Sequence, residues 1–278
     1  MGVPVRLTVY AGSEAQARAA CRAAFDRFAA LEQVMSDYRP TSELMRLCAK
    51  AGRGPQPVSA DLWRVLERSH TLARRSDGAF DVTVGPLVRL WRAARRSGRL
   101  PDPAALREAR SRVGWRGVRL ADPVARTVAL ETPGMQLDLG GIAKGFACDE
   151  AQAALKANGV TRALVEAGGD IVVSGAPPDA PAGWRVEVGG GVRTLADCAV
   201  STSGDTEQFV EIGGVRYSHI VDPRTGLGLT TRTAVTVVAP DGMTSDGLAT
   251  ALSVLGEEKG RWLLVLYPGV RAEFRAAR

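Results

Sequence analysis

The run Phe209-Val210-Glu211-Ile212-Gly213-Gly214-Val215-Arg216-Tyr217-Ser218-His219-Ile220 sets two alternating segments on either side of a glycine pair. Glycine takes positive φ without strain, so Gly213-Gly214 predicts a two-residue hairpin turn, with residues 209–212 antiparallel to 215–220. That pairing argues against a regular strand–helix–strand repeat, whose parallel strands need long crossovers. Outward from the hairpin, short turn-linked strands are expected at 117–120, 127–131, 136–139, 163–166, 171–174, 184–188 and 233–238, interrupted by helices at 143–158 and 245–255. Upstream, Val3, Val5, Leu7 and Val9 alternate as a half-buried strand, and Ser13 caps a long amphipathic helix reaching about Met35. Further helices are expected at 61–76, 86–96 and 103–112. The sum is an α+β fold with a mixed, largely antiparallel sheet flanked by helices. The Pro/Gly-rich patches at 52–57 and 175–183 are loop-sized, so residues 1–278 read as one compact domain.

The formal net charge is +6, and 32 of the 36 basic residues are arginine. Ten arginines fall within residues 89–119. A nucleic-acid footprint is one account of them, but no stacking aromatics or recognition motif stand beside them, so a solvated helical face is preferred and no nucleic acid is expected as partner. Cys21, Cys48, Cys148 and Cys198 are scattered without a C-x-x-C pair, which argues against zinc and a disulfide framework. No stretch is long and apolar enough for a membrane span, and Met1-Gly2-Val3-Pro4 reads as the approach to a strand, not as a signal peptide.

Leu137-Asp138-Leu139-Gly140-Gly141-Ile142-Ala143-Lys144-Gly145 predicts a strand, a glycine turn and a helix with Lys144 in its first turn. It lacks both the Walker A pattern and the G-x-G-x-x-G fingerprint. Asp138 can accept hydrogen bonds from a ribose or an isoalloxazine edge, the Gly141 carbonyl can face a metal, and Lys144 can offset phosphate charge. A plain strand-to-helix connection accounts for the same residues. In Thr244-Ser245-Asp246-Gly247-Leu248-Ala249-Thr250, which is expected to open a helix, Asp246 and Thr250 share a face and offer one cation two hard oxygens. Alternatively Asp246 complements the helix dipole and Thr250 bonds back to a carbonyl. His219, followed by Asp222-Pro223-Arg224, is a candidate general base or a structural histidine, and His70 reads as surface. Gly78-Ala79-Phe80-Asp81 and Glu166-Ala167-Gly168-Gly169-Asp170 are small-residue stretches ending in an acid, able to set backbone against a flat ligand or simply to turn the chain.

Taken together, these segments resemble the FAD:protein FMN transferase family, the ApbE-type flavin transferases. The resemblance rests on Met35-Ser36-Asp37-Tyr38-Arg39-Pro40 with Ser42-Glu43-Leu44, Gly78 to Leu87, Asp138 to Gly145, Ala167 to Asp170, Ser203-Gly204-Asp205, Ser218 to Gly226 and Asp246 to Leu252, in family order across nearly the whole chain. It implies an enzyme that binds Mg2+ and FAD and joins FMN to a threonine hydroxyl of a partner protein, releasing AMP. Met1, Tyr38, Ala79, Phe80, Asp81, Asp138, Lys144 and Ile220 then match flavin-contacting positions. Gly141, Asp246 and Thr250 match metal positions, and His219 the base that deprotonates the threonine. The implied acceptor is a membrane electron-transport subunit. A periplasmic or cell-envelope location is implied too, with the cytoplasm open because the chain shows no signal peptide. Magnesium-dependent FAD pyrophosphatase activity and non-catalytic FAD binding are the competing functions, and Cys48, where many relatives carry Asn, leaves the balance of transfer and hydrolysis open. The last residues, Phe274 to Arg278, stop sooner than a closing strand pair would require.

Overall fold

The structure is a computed structural model and describes residues 2–204 and 209–276. Met1, a flavin-contacting position by resemblance, lies outside the described residues, as does Asp205. In chain order the elements are β1 (Val5–Tyr10), α1 (Glu14–Met35), α2 (Glu43–Cys48), β2 (Gln56–Pro57), α3 (Ala60–Arg75), α4 (Gly85–Ser97), α5 (Pro103–Arg110), β3 (Val118–Asp122) and β4 (Thr127–Leu130). They continue with α6 (Ala143–Ala157), β5 (Arg162–Ala167), β6 (Asp170–Ser174), β7 (Trp184–Val188), β8 (Gly191–Leu195), β9 (Cys198–Ser203), β10 (Phe209–Ile212), β11 (Val215–Ser218), β12 (Thr233–Ala239), α7 (Gly242–Val265) and β13 (Arg271–Ala276).

A six-stranded sheet ordered β1-β5-β6-β9-β12-β13 forms the frame, and each neighbouring pair in it is antiparallel. The one parallel contact among the described residues is an isolated bridge between Val84 and Gln136. Alternation along the strands sends successive side chains to opposite faces. Val165, Val172, Val235 and Val237 enter the main core beneath α6 and α7, while Ile171, Val173, Val200 and Val238 meet the β7–β8 hairpin on the other face. The Gly213-Gly214 turn forms as predicted, with φ of 60° and 76°, joining β10 to β11. Ser13 caps α1 as expected, its hydroxyl accepting from the Gln16 amide at 3.2 Å.

Several expectations are corrected. Residues 136–139 are not a strand but an extended connection held by the Val84–Gln136 bridge. The chain does close its sheet, since β13 pairs with β12 over Arg271–Ala276; its partly buried, charge-interrupted pattern carried little strand signal. β8 and β9 also escape a periodicity reading because Gly191–Leu195 is largely exposed and Cys198–Ser203 is small and polar. His70 is half-buried, its ring edge-on to Trp115 at 5.2 Å between centroids.

Candidate functional site

The two glycine-rich helix segments of the sequence meet in space. α7 starts at Gly242, three residues earlier than expected, and Asp241 caps it by accepting from the Thr244 amide at 2.7 Å. Asp246 therefore sits in the second turn, not at the helix opening. Asp149 of α6 takes the amides of Gly242 and Met243 at 2.7 and 2.9 Å. The start of α7 is thus already supplied with carboxylate acceptors, and what the helix offers a ligand is side chains rather than free amides. Asp149→Ala leaves two amides without acceptors and is expected to cost about 2 kcal/mol, read as a lowered urea midpoint with unchanged slope.

Close approach of α6 and α7 depends on absent side chains. A Cβ built on Gly145 would lie 2.0 Å from the Gly242 carbonyl oxygen, and one on Gly141 would lie 2.8 Å from Thr250 Oγ1. The Gly145 amide, which in an uninterrupted helix closes on the Gly141 carbonyl, donates instead to Asp246 Oδ2 at 3.0 Å. Among the described residues no other amide takes its place on Gly141, and the amides of Gly141 and Lys144 meet no protein acceptor. The Gly141 carbonyl, the Asp246 carboxylate and the Thr250 hydroxyl are thus gathered at one contact as hard oxygen donors, and the uncapped start of α6 beside them favours an anion. Among the described residues no group of three or more His, Cys, Asp or Glu can hold a metal, so any cation here draws on backbone and hydroxyl oxygen.

Lys144 ties this contact to the sheet, its Nζ 2.5 Å from Asp170 Oδ2 and 3.1 Å from Asp246 Oδ1. Burial works against the ammonium, but Asp246 and Asp170 outweigh it and hold the Lys144 pKa above the ordinary lysine value. Burial and then Asp170 push Asp246 above the ordinary carboxylate range, against Lys144 and the Gly145 amide. Asp170 ends the Ala167-Gly168-Gly169 stretch, so its signal lay in the sequence without a role to attach to it.

Three residues before Gly141, Asp138 accepts the Gly140 amide at 2.8 Å and the Arg92 guanidinium at 3.1 Å. Burial and then Asp37 raise its pKa. Arg92 also reaches Asp37 at 2.5 Å and lies over the Tyr38 ring, 4.3 Å from its centroid. Tyr38 is nonetheless 68% exposed, so the ring keeps a free face for a flat aromatic ligand. In the sequence Arg92 is one of many arginines on a helix that reads as a solvated basic face, so nothing local marks it. Cys48 is buried, and its sulfur accepts the Leu137 amide at 3.3 Å, one residue before Asp138.

The remaining predicted contacts are less open. Phe80 packs in the main core, and Asp81 accepts from the Thr83 amide, the Thr83 hydroxyl and the Trp115 amide at 2.8, 2.6 and 2.9 Å. What this loop presents to a ligand is shape and backbone. Ala79 and Ile220 pack with Val254, which lies one turn beyond Thr250 on α7. That contact brings the His219 segment to the same helix as Asp246. His219 itself is exposed, one residue past the end of β11. The acid behind it, Asp222, holds Arg224 through the Arg224 amide, Nε and Nη2 at 2.9, 2.9 and 2.8 Å. Among the described residues no helix is long and apolar enough to cross a membrane.

The family model described as the ApbE family matches residues 1–274. The curated FAD:protein FMN transferase of Treponema pallidum (strain Nichols) is 39% identical over 99% of this chain and 82% of its own length. The protein of the same name from Vibrio cholerae serotype O1 is 36% identical over 83% of this chain and 72% of its own. Among solved structures, flavin transferase ApbE from Vibrio cholerae has a TM-score of 0.87 at 30% identity, covering 100% of this chain and 94% of that one. The apbe protein from Thermotoga maritima has a TM-score of 0.86 at 28% identity, covering 100% of this chain and 94% of that one.

Proposed function

The chain belongs to the ApbE family and is an FAD:protein FMN transferase, and from that premise we propose a magnesium-dependent transfer that joins FMN through a phosphoester to an acceptor threonine and releases AMP. The observation carrying this reading is the α6–α7 contact, where Gly141 through its carbonyl, Asp246 and Thr250 supply the oxygen set suited to Mg2+. Bound there, magnesium would offset negative charge on the pyrophosphate and on the departing AMP. The flavin half of FAD takes the exposed Tyr38 face and the Asp138 carboxylate, with Ala79, Phe80, Asp81 and Ile220 shaping the wall. Lys144 adds positive charge beside the phosphates, and the unclaimed amides of Gly141 and Lys144 donate to their oxygens.

A threonine hydroxyl is a weak nucleophile, so the reaction needs a base at the attacking oxygen. His219, exposed beside the Ile220–Val254 contact, is assigned that role. The threonine oxygen bonds to the FMN-side phosphorus as its proton passes to His219. The bond from that phosphorus to the bridging oxygen breaks, and this oxygen leaves with AMP. By family resemblance the acceptor is a membrane electron-transport subunit and the site of action the cell envelope.

Incubation with FAD, Mg2+ and a threonine-bearing acceptor is expected to give protein-bound flavin fluorescence and AMP in equal amounts, and chelation should stop both. Free FMN in place of protein-bound flavin would identify a pyrophosphatase instead. His219→Ala is expected to bind FAD normally and to flavinylate roughly 10²–10³-fold more slowly. Transfer at the wild-type rate removes His219 from the mechanism.

A further inference from the structure

Residues 85–112, spanning α4 and α5, hold eight arginines against two acids. That excess equals the +6 of the whole chain, so the rest balances at 28 basic and 28 acidic residues. The basic character of this protein is therefore a property of one helical pair. Its two acids are already engaged, Asp102 with the Ala104 and Ala105 amides at 2.9 Å and Glu108 with Arg112 at 2.5 Å. Among the described residues Arg89, Arg95, Arg96, Arg99 and Arg107 are exposed and have no ion-pair partner. The dipoles of the last helical turns account for Arg95, Arg96 and Arg107, but like charges at helical spacing repel, and neither cap nor ion pair accounts for Arg89 and Arg99.

Position gives the cluster a use. The inner face of α4, with Leu87, Trp91 and Ala94, packs on the segment that carries His219, and Trp91 Nε1 donates to the Gly226 carbonyl at 2.7 Å. Arg92, on another side of the same helix, reaches Asp138 and Tyr38. α4 thus joins the flavin end of the site to its base, and Arg89 and Arg96 flank Arg92 at helical spacing, with Arg99 just past the helix end. A polypeptide that delivers a hydroxyl to His219 beside the flavin would run its flanking residues along this surface.

We propose that the arginine face of α4 and the turn after it docks an acidic segment of the acceptor protein next to its target hydroxyl. The proposal rests on the transfer reaction above and adds the partner's chemistry. Complementary charge of this kind raises association rate and selects partners more than it tightens final binding.

The test uses two synthetic peptides with one threonine, flanked by four aspartates in one and four asparagines in the other, and the variant Arg89→Gln/Arg96→Gln/Arg99→Gln. Wild-type enzyme is expected to flavinylate the aspartate peptide with kcat/KM on the order of tenfold higher at low salt, and the preference should shrink toward parity at high salt. The triple variant should lose the preference while FAD affinity and the rate with the asparagine peptide stay unchanged. Equal use of both peptides by wild type, or a preference surviving in the variant, overturns the docking surface while leaving the transfer reaction standing. Absence of FAD cleavage with any acceptor would instead sink the transfer reaction, and fluorescence anisotropy of the labelled peptides still reads docking. Binding to phosphatidylserine vesicles that the variant abolishes, with no peptide preference in wild type, reassigns the face to a membrane and also overturns the proposal.

Discussion

Asp246→Asn is expected to lower Mg2+-dependent FAD cleavage by about 10³-fold, which corresponds to roughly 4 kcal/mol of barrier. The substitution keeps the shape and leaves an amide oxygen to accept the Gly145 N–H, now made at 3.0 Å to Oδ2. It removes the one charged donor of the proposed oxygen set. Lys144 keeps Asp170 at 2.5 Å, so no unpaired ammonium is stranded and unfolding should shift by only about 1 kcal/mol. Separating the two effects matters because buried Asp246 is also a structural residue. AMP release across a magnesium titration, with thermal unfolding of the same samples, makes the separation. A rate within tenfold of wild type and still dependent on magnesium would remove Asp246 from the metal set. Thr250→Val, losing a neutral ligand, should cost closer to tenfold.

Gly145→Ala is expected to be the most damaging single methyl in the protein. Its Cβ would stand 2.0 Å from the Gly242 oxygen, 2.4 Å from the Gly242 carbonyl carbon and 2.8 Å from Asp246 Cβ. Two of these atoms are backbone of a helix start pinned by Asp149, so relief requires α6 and α7 to separate. Overpacking of this kind costs about 3 kcal/mol, or a fall in Tm on the order of 6–10 °C. The same shift pulls Asp246 away from Gly141, so metal-dependent activity should fall along with stability. Gly191→Ala is the control: nothing lies within 4 Å and its φ is not positive, so stability should stay within about 0.5 kcal/mol. Equal melting of the two variants would refute the close approach of the helices.

Much of the frame is legible in the chain because its signals are local. The Gly213-Gly214 turn carries its own conformational demand, the alternation of β1 and β5 shows which face is buried, and Ser13 marks the start of α1 by its side-chain oxygen. The candidate site is legible as a roster: Gly141, Asp246 and Thr250 are each suited to a cation, and the family likeness groups them. Local signals fail where burial is partial or the role is distant. β13 alternates weakly and is charged, so its pairing shows only once β12 lies beside it. Asp149 is an ordinary helical acid until α7 sets two amides against it. Arg92 is one arginine among eight in its region until Tyr38 and Asp138 come within reach.

By itself the sequence determined an α+β fold with antiparallel pairing, the segments that carry chemistry and the family to which they belong, because turn glycines, caps and alternation act over a few residues. Only the tertiary structure decided which atoms are free to act. Asp246 moves to a second turn, the α7 amides go to Asp149, and the Gly141 carbonyl is left open because Gly145, 101 residues from Asp246 in the chain, gives its amide to that carboxylate. Those assignments depend on which of two acceptors lies nearer to one N–H, a comparison between parts of the chain that meet only when α6 and α7 pack.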